Sequence, residues 1–244
     1  MYIISHRGGA LENKENSETA IINSITNNCV NAIEVDIHFT KDDIAIINHD
    51  DNLNRCFGIN KNIFEINYHQ IENILLSLEK LLSLVDGKKT LFLEIKGNIS
   101  NKQINYLSEK LFKYIQDNVG ILEYYNNNKL PIFMIITFNY DLLIKLNKYF
   151  DKSMLGFITA NRFDRINTYY LLDNTIFKNL IIENNDINND YLIELNKYNL
   201  NIFVYGVNYS VGLNKFSKED LKIINGFITD SPTSLYNNLS VQRT

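Results

Sequence analysis

Short apolar segments alternate along the chain with longer amphipathic segments. The short ones are rich in Ile, Val, Leu and Phe and are bounded by polar residues or Gly, which is typical of buried β-strands. They comprise residues 2–5, 32–36, 91–95, 132–137, 154–158, 180–183, 201–207 and 227–229. The pattern therefore predicts eight short strands that are separated in sequence.

The segments between these strands carry apolar residues at three- and four-residue spacing, which predicts amphipathic helices. They comprise residues 17–27, 68–85, 102–118, 140–149, 161–172, 189–198 and 218–224, and a last helix is predicted to begin at Ser231-Pro232. Ser17 is a suitable N-cap, and Pro232 would occupy the first helical position. Regular strand–helix alternation predicts a parallel sheet with right-handed crossovers.

One apolar segment does not fit this alternation. Residues 44–48 follow the second strand too closely for a crossover helix, so we expect a small antiparallel β excursion in the loop after strand two. Neither a linker nor an internal repeat is visible. Since eight parallel strands are the number that closes an α/β barrel, the chain is predicted to form a single (β/α)8 TIM-barrel domain over residues 1–244.

Composition narrows the function classes. The chain has 244 residues, 45% hydrophobic residues and a formal net charge of −4, which is sufficient for a large core. Lys and Arg are scattered, so a nucleic-acid-binding protein is not expected. No apolar stretch reaches the length of about 18 residues that a transmembrane helix needs, and no signal peptide is recognisable. The expected location is therefore cytoplasmic.

Two carboxylates lie two residues apart in the second predicted strand. Residues i and i+2 of a strand project to the same face, so Glu34 and Asp36 should lie side by side in a segment otherwise suited to burial. Adjacent carboxylates repel each other unless a divalent cation or a shared proton separates them. The alternative is that the pair lies on the exposed face of an edge strand.

Further polar residues follow the predicted strands at their carboxyl ends, where barrel enzymes carry their active sites. His6 and Arg7 follow strand one, His49 lies in the excursion after strand two, and Glu94 and Lys96 share a face of strand three. Three carboxylates without Cys make an oxygen-only site for Mg²⁺ or Ca²⁺. The cationic side chains of Arg7 and Lys96 are suited to binding a phosphate, and the two histidines are suited to proton transfer. The combination therefore indicates phosphodiester cleavage.

The motifs that carry these residues resemble those of the glycerophosphodiester phosphodiesterase family nearly end to end. The matching segments are His6-Arg7-Gly8, Glu15-Asn16-Ser17, Glu34-Val35-Asp36, Thr40-Lys41-Asp42, His49-Asp50, Leu53-Asn54-Arg55, Glu94-Ile95-Lys96, residues 204–208 and residues 226–232. A single short motif of this kind has little weight. The whole set in order, at barrel spacing, is a specific signal.

The resemblance implies a barrel of the phospholipase C-like phosphodiesterase type that hydrolyses glycerophosphodiesters to sn-glycerol 3-phosphate and an alcohol. It implies one divalent cation, Mg²⁺ or Ca²⁺, with Mn²⁺ also compatible. It assigns Glu34, Asp36 and Glu94 to the metal, His6 and His49 to acid–base catalysis, and Arg7 and Lys96 to the phosphate. Glu15 is expected to orient Arg7 or to assist near the metal.

The chain departs from the family pattern at positions that shape the substrate pocket. Tyr205 replaces the late Trp that lines the pocket in the family, and Thr137-Phe138 replaces Ser-Phe on strand four. Either aromatic residue, Phe138 or Tyr205, suits a pocket wall or the core. The identity of the alcohol that is released therefore stays open. Arg55 could form either a salt bridge within its loop or a contact with the substrate.

Two other function classes remain possible from the sequence. A related barrel phosphodiesterase would act on lysophospholipids or on sugar–glycerol phosphodiesters, and an exposed apolar patch near the barrel mouth would favour the lipid substrate. A non-catalytic phosphodiester-binding module is less favoured, because it should have lost at least one of the seven site residues, and all are present: His6, Arg7, Glu34, Asp36, His49, Glu94 and Lys96. Neither the oligomeric state nor the metal used in the cell follows from the sequence.

Overall fold

Eight parallel strands close into a barrel in the computed structural model, which describes residues 1–120, 130–160, 175–208 and 212–242. The barrel strands are β1 (Tyr2–Ser5), β2 (Ala32–Phe39), β6 (Thr90–Ile95), β7 (Phe133–Thr137), β8 (Leu155–Thr159), β9 (Asn179–Glu183), β10 (Asn201–Tyr205) and β11 (Ile224–Thr229). Each strand pairs with its neighbours in this order, and β1 pairs with both β2 and β11. The predicted TIM barrel and its eight strands are confirmed.

Helices cover the outside of the barrel. Those described are α1 (Glu18–Thr26), α2 (Asn54–Phe57), α3 (Leu78–Val85), α4 (Asn101–Asp117), α5 (Tyr140–Leu146), α6 (Asn189–Leu195), α7 (Asp220–Ile223) and α8 (Pro232–Gln242). The Ser17 hydroxyl accepts a hydrogen bond from the Ala20 amide, which confirms the predicted cap of α1. The helix predicted for residues 161–172 lies outside the described residues.

Apolar side chains fill the barrel and separate its two ends. Alternate residues of the strands point inward and form a fully buried cluster that includes Ile4, Phe92, Met134 and Phe203. The opposite faces of the same strands pack beneath the helices in a second, larger cluster. Because the interior is filled, a polar site can form only where the strands end.

The predicted excursion after strand two is confirmed and is more elaborate than the sequence suggested. Strand β3 (Ala45–Ile47) pairs antiparallel with β2, and a hairpin of β4 (Asn52–Leu53) and β5 (Ile59–Asn62) follows, with α2 at its turn. Apolar residues of this region form their own small core: Ile46, Leu53, Ile63, Ile66, Ile71 and Leu75. The excursion is therefore a packed element that rests on the barrel.

Two helix predictions were wrong in extent. Residues 68–85 are not one helix, because only a 3-10 turn at Tyr68–Gln70 and α3 are helical. Between them Ser77 forms an isolated bridge with Ile46 and then caps α3, so the chain follows the excursion before the helix begins. The helix predicted for residues 218–224 is limited to α7, because Ile224 already pairs with β10 as the first residue of β11.

No helix within the described ranges combines the length and the apolar character required to cross a membrane. This finding agrees with the hydropathy of the sequence.

Candidate active site at the carboxyl end of the barrel

Three buried carboxylates meet at the carboxyl end of β2 and β6. Asp36 and Glu94 are direct partners in the parallel register, and Glu34 lies two residues before Asp36 on the same face. One oxygen from each of the three lies within 4.8 Å of the others. The structure therefore brings the predicted metal ligands together, and since Glu34 and Asp36 are 1% and 0% exposed, the edge-strand alternative is wrong.

Burial makes this cluster electrostatically unfavourable by itself. Burial and the charge of Asp36 raise the pKa of Glu34 to about 8, and burial also raises the pKa of Glu94. Burial opposes ionisation of Asp36 as well, but the charges of Lys96 and Arg7 outweigh it and lower the pKa of Asp36. Among the described residues, Oε1 of Glu34 is buried without a hydrogen-bond partner. An oxygen of this kind suits a cation better than it suits an apolar core.

Two cationic side chains border the carboxylates, as the sequence predicted. Lys96 Nζ lies 2.8 Å from Asp36 Oδ1 and also contacts Glu94. The backbone N–H of Arg7 donates to Glu34 Oε2 at 2.9 Å, and Arg7 Nε lies 3.5 Å from Asp36 Oδ2. Both cations are thus at the same rim as the carboxylates, where a bound phosphate would need them.

The turn after β1 aims these groups at the barrel mouth. Arg7 has a φ of +52° and Gly8 a φ of +79°, which reverses the chain within three residues. A Cβ atom at Gly8 would lie 2.7 Å from the Cβ of Ala20 in α1. Glycine is therefore required at position 8 both for the backbone conformation and for the close approach of α1.

His6 is held in one orientation by a residue from the other end of the chain. His6 Nδ1 donates to Asp230 Oδ1 at 2.6 Å, and Arg7 Nε donates to His6 Nε2 at 3.3 Å. Burial alone would lower the pKa of His6, but the hydrogen bond to Asp230 and the charge of Glu34 raise it. This pairing leaves Nε2 as the proton acceptor that points toward the carboxylates.

Asp230 is itself oriented by Asn208. The amide of Asn208 donates to Asp230 Oδ2 at 2.7 Å, and its oxygen accepts from the Asp230 backbone N–H at 2.9 Å. Burial would raise the pKa of Asp230, but the hydrogen bond and the charge of His6 lower it. The carboxylate is therefore kept ionised beside the imidazole.

His49 has the same kind of support on the opposite side of the site. His49 Nδ1 donates to Asp50 Oδ1 at 2.7 Å, and the His49 carbonyl oxygen accepts from His38 Nε2 at 3.1 Å. His38 had no assigned role from the sequence. Each of the two predicted catalytic histidines thus has Nδ1 engaged by a carboxylate, which leaves Nε2 for chemistry.

A small cleft of about 130 Å³ joins these groups to an apolar wall. Its polar side contains His6, His49, Glu34 and Lys96, and its apolar side includes Phe138 and Tyr205. Both aromatic residues therefore line the cleft. Phe138 is 49% exposed. Tyr205 is partly buried, and burial together with nearby acidic groups raises the pKa of its hydroxyl.

Besides His38, four residues that support the site had no role assigned from the sequence. They are Asn16, Asp50, Asn208 and Asp230. Asn16 Nδ2 donates to Asp36 Oδ2 at 2.9 Å, and the others hold the histidines as described. All four stand within the motifs that carry the family resemblance, so position within a motif was the available signal. Glu15 lies 3.4 Å from Arg7, and Arg55 forms a salt bridge with Glu15.

Comparison with known proteins gives one family. The model of the Glycerophosphoryl diester phosphodiesterase family matches residues 6–234. A glycerophosphodiester phosphodiesterase of Thermotoga maritima is similar over 100% of this chain and 99% of its own, with 20% identity and a TM-score of 0.72. An Oleispira antarctica phosphodiesterase, solved with the product sn-glycerol-3-phosphate, is similar over 100% and 97%, with 17% identity and a TM-score of 0.75. At these identities the likeness establishes the fold.

A local match to curated proteins is stronger in identity and shorter in extent. Lysophospholipase D GDPD1 of Rattus norvegicus is 40% identical over 76 residues, which are 31% of this chain and 24% of the rat protein. The chain therefore spans about a quarter of the length of this relative.

Proposed function

Because the chain belongs to the glycerophosphoryl diester phosphodiesterase family, we propose that it hydrolyses glycerophosphodiesters to sn-glycerol 3-phosphate and an alcohol. One observation carries the proposal. A single cleft combines the buried carboxylate cluster with two histidines, each of which is held by its own Asp. This is the set of groups that cleavage of a phosphodiester needs: charge neutralisation, a base and an acid.

The three carboxylates are proposed to hold one divalent cation. Their oxygen-only donor set suits Mg²⁺ or Ca²⁺, and Mn²⁺ is also compatible. The unpartnered oxygen of Glu34 and the raised pKa of this residue support the assignment, because a bound cation would offset both. When bound, the cation would supply positive charge to the phosphate oxygens.

His6 and His49 are proposed to transfer the protons. In the first step the hydroxyl of the substrate's glycerol group that lies next to the phosphodiester attacks phosphorus. One histidine accepts the proton of this hydroxyl, and the other protonates the oxygen of the departing alcohol. Water then opens the cyclic phosphate with the two roles reversed. Arg7 and Lys96 are proposed to bind the phosphate oxygens, whose negative charge grows as the attacking oxygen approaches.

The test is an assay of the pure protein with glycerophosphoethanolamine or glycerophosphocholine and Mg²⁺, Ca²⁺ or Mn²⁺, in which sn-glycerol 3-phosphate is measured. His6→Ala and His49→Ala should each lower the rate by roughly 10²–10⁴-fold. His69→Ala is the matched control, since His69 is exposed and outside the cleft. Absence of turnover by a folded, metal-saturated protein would refute the proposal.

A lysophospholipid substrate is the second candidate. Two observations favour it: the half-exposed Phe138 at the cleft and the local identity to lysophospholipase D GDPD1. Product analysis separates the candidates, because a lysophospholipid yields a lipid phosphate and a choline or ethanolamine alcohol. Sugar–glycerol phosphodiesters belong in the same substrate panel. Binding of every substrate without turnover would indicate a non-catalytic module.

We also propose that residues 1–244 form one domain, since the strands that close the barrel come from both ends of the chain. The cytoplasmic location stays a prediction from the sequence.

A further inference from the structure

Arg55 lies outside the cleft and is connected through two carboxylates to two residues that line it, His49 and Arg7. It is carried by α2 at the turn of the hairpin formed by β4 and β5, and its side chain is 50% exposed. One edge of the guanidinium faces Asp50, with Nε 2.7 Å from Oδ2 and Nη2 3.2 Å from Oδ1. Its other edge faces Glu15, with Nη2 2.6 Å from Oε1 and Nη1 3.0 Å from Oε2. Both edges of one guanidinium thus make bidentate contacts.

Each of these carboxylates reaches one step further into the site. Asp50 Oδ1 accepts from His49 Nδ1 at 2.7 Å. Glu15 Oε1 lies 3.4 Å from Arg7 Nη1. Arg55 is therefore the centre of a continuous series of contacts that runs from a proposed catalytic histidine to a proposed phosphate ligand. We call this series, from His49 through Asp50, Arg55 and Glu15 to Arg7, the clamp.

The distances indicate what the clamp does to Arg7. Glu15 is closer to Arg55 (2.6 Å) than to Arg7 (3.4 Å), so Glu15 forms the stronger ion pair with Arg55. Without Arg55, Glu15 would be free to form a full ion pair with Arg7 and to compete with a phosphate for the guanidinium. Sharing Glu15 keeps Arg7 oriented, and because the contact of Glu15 with Arg7 Nη1 is the longer of the two, a phosphate can compete with it for that donor.

The same reasoning applies to Asp50 and the imidazole. The hydrogen bond from Arg55, opposed by partial burial, is the main cause that lowers the pKa of Asp50 to about 2, which reflects the strength of the contact between the two groups. With both oxygens of Asp50 fixed by Arg55, its Oδ1 is held where His49 Nδ1 donates. His49 is thereby kept in the tautomer that presents an unprotonated Nε2 to the cleft.

We propose that Arg55 is a positioning residue that fixes the His49 tautomer through Asp50 and holds Arg7 ready for phosphate through Glu15. Its catalytic consequence rests on the proposed function, because it acts through residues that the proposed reaction uses. Its structural consequence, the state of the His49 ring, does not require turnover.

Two substitutions separate charge from geometry. Arg55→Met removes the charge and the fork at similar length, and Arg55→Lys keeps a point charge that cannot make two bidentate contacts. The matched control is Lys102→Met, which removes another exposed ion pair, between Lys102 and Asp43 (2.6 Å), away from the cleft.

The first readout is the ¹⁵N spectrum of the imidazoles at pH 8, with the His49 signals assigned by His49→Gln. Wild type and Lys102→Met should show His49 protonated at Nδ1. Arg55→Met should show a mixture of tautomers, and Arg55→Lys should lie between the two. A spectrum of folded Arg55→Met that is identical to wild type would overturn the inference.

The second readout is steady-state kinetics with glycerophosphoethanolamine and Mg²⁺. Arg55→Met should lower kcat and raise KM, with a combined loss in kcat/KM of roughly 10–100-fold, whereas Lys102→Met should stay within about twofold of wild type, since surface changes of this kind usually have small effects. Arg55→Met with unchanged kcat and KM would refute the catalytic consequence. If wild type is inactive and the tautomer still changes, the proposed function fails while the positioning of His49 by Arg55 is supported.

Discussion

Glu34 makes the proposed metal site sensitive to pH in a way that can be measured. Its pKa is raised to about 8 by burial and by the charge of Asp36, so near neutral pH the carboxyl carries a proton. A divalent cation binds the carboxylate form. Binding of the cation should therefore release that proton. This can be tested by titrating the protein with metal at a series of pH values.

The magnitude follows from the single pKa. With a pKa of about 8, about 0.9 proton should be released per cation at pH 7 and about 0.1 at pH 9. The apparent affinity should rise about tenfold per pH unit below the pKa and become constant above it. Between pH 6 and pH 9 the increase is about two orders of magnitude, or about 3 kcal/mol.

The assay is calorimetric titration with Mg²⁺ or Ca²⁺ in buffers of different ionisation enthalpy, which gives the number of protons released. The matched control is Glu72→Gln, because Glu72 is exposed and should leave the proton count unchanged. Glu34→Gln should weaken binding and remove the share of the release that comes from Glu34. Normal binding by the wild type with fewer than about 0.2 protons released at pH 7 would refute the assignment of the proton to Glu34.

The same pKa predicts how stability of the protein without added metal depends on pH. A carboxyl whose pKa rises on folding binds more protons in the folded than in the unfolded state between its two pKa values. The contribution of Glu34 is thus fully present below about 4.5 and is lost as pH rises to about 8. Between pH 6 and pH 9 the loss is about 3 kcal/mol, measurable by urea unfolding in chelator as the difference between wild type and Glu34→Gln.

Three further predictions concern orientation, backbone geometry and packing. Asp230→Asn should reduce activity roughly 10–100-fold with little change in KM, because it replaces the carboxylate that fixes His6 with a neutral amide, which can also donate to the imidazole; steady-state kinetics with unchanged kcat would contradict this. Gly8→Ala should destabilise the fold by at least about 1–3 kcal/mol, since the residue has a φ of +79° and an added Cβ would meet Ala20 at 2.7 Å; urea unfolding with an unchanged midpoint would contradict it. Leu93→Ala, at a fully buried position of β6, should lower the free energy of unfolding by about 2–5 kcal/mol in the same measurement, because it leaves a cavity in the core. A loss below about 1 kcal/mol would contradict this and would show that neighbouring side chains fill the cavity.

Local patterns were sufficient for the barrel strands and for much of the site. A strand needs only a few apolar residues between polar boundaries, and its two-residue period places Glu34 beside Asp36 whatever the rest of the chain does. The same period places Glu94 beside Lys96. The helix predicted across residues 68–85 failed because its apolar residues serve two structures, the small core of the excursion and α3.

The clamp and the support of His6 required the tertiary structure. Asp230 lies 224 residues from His6, and Glu15 lies 40 residues from Arg55. Their contacts depend on the closure of β1 against β11 and on the packing of the excursion over the first loop. Periodicity fixes which face a side chain occupies because it is set by the backbone of one element. Which elements meet, and at what distance, is decided by strand order and core packing, which no local pattern contains.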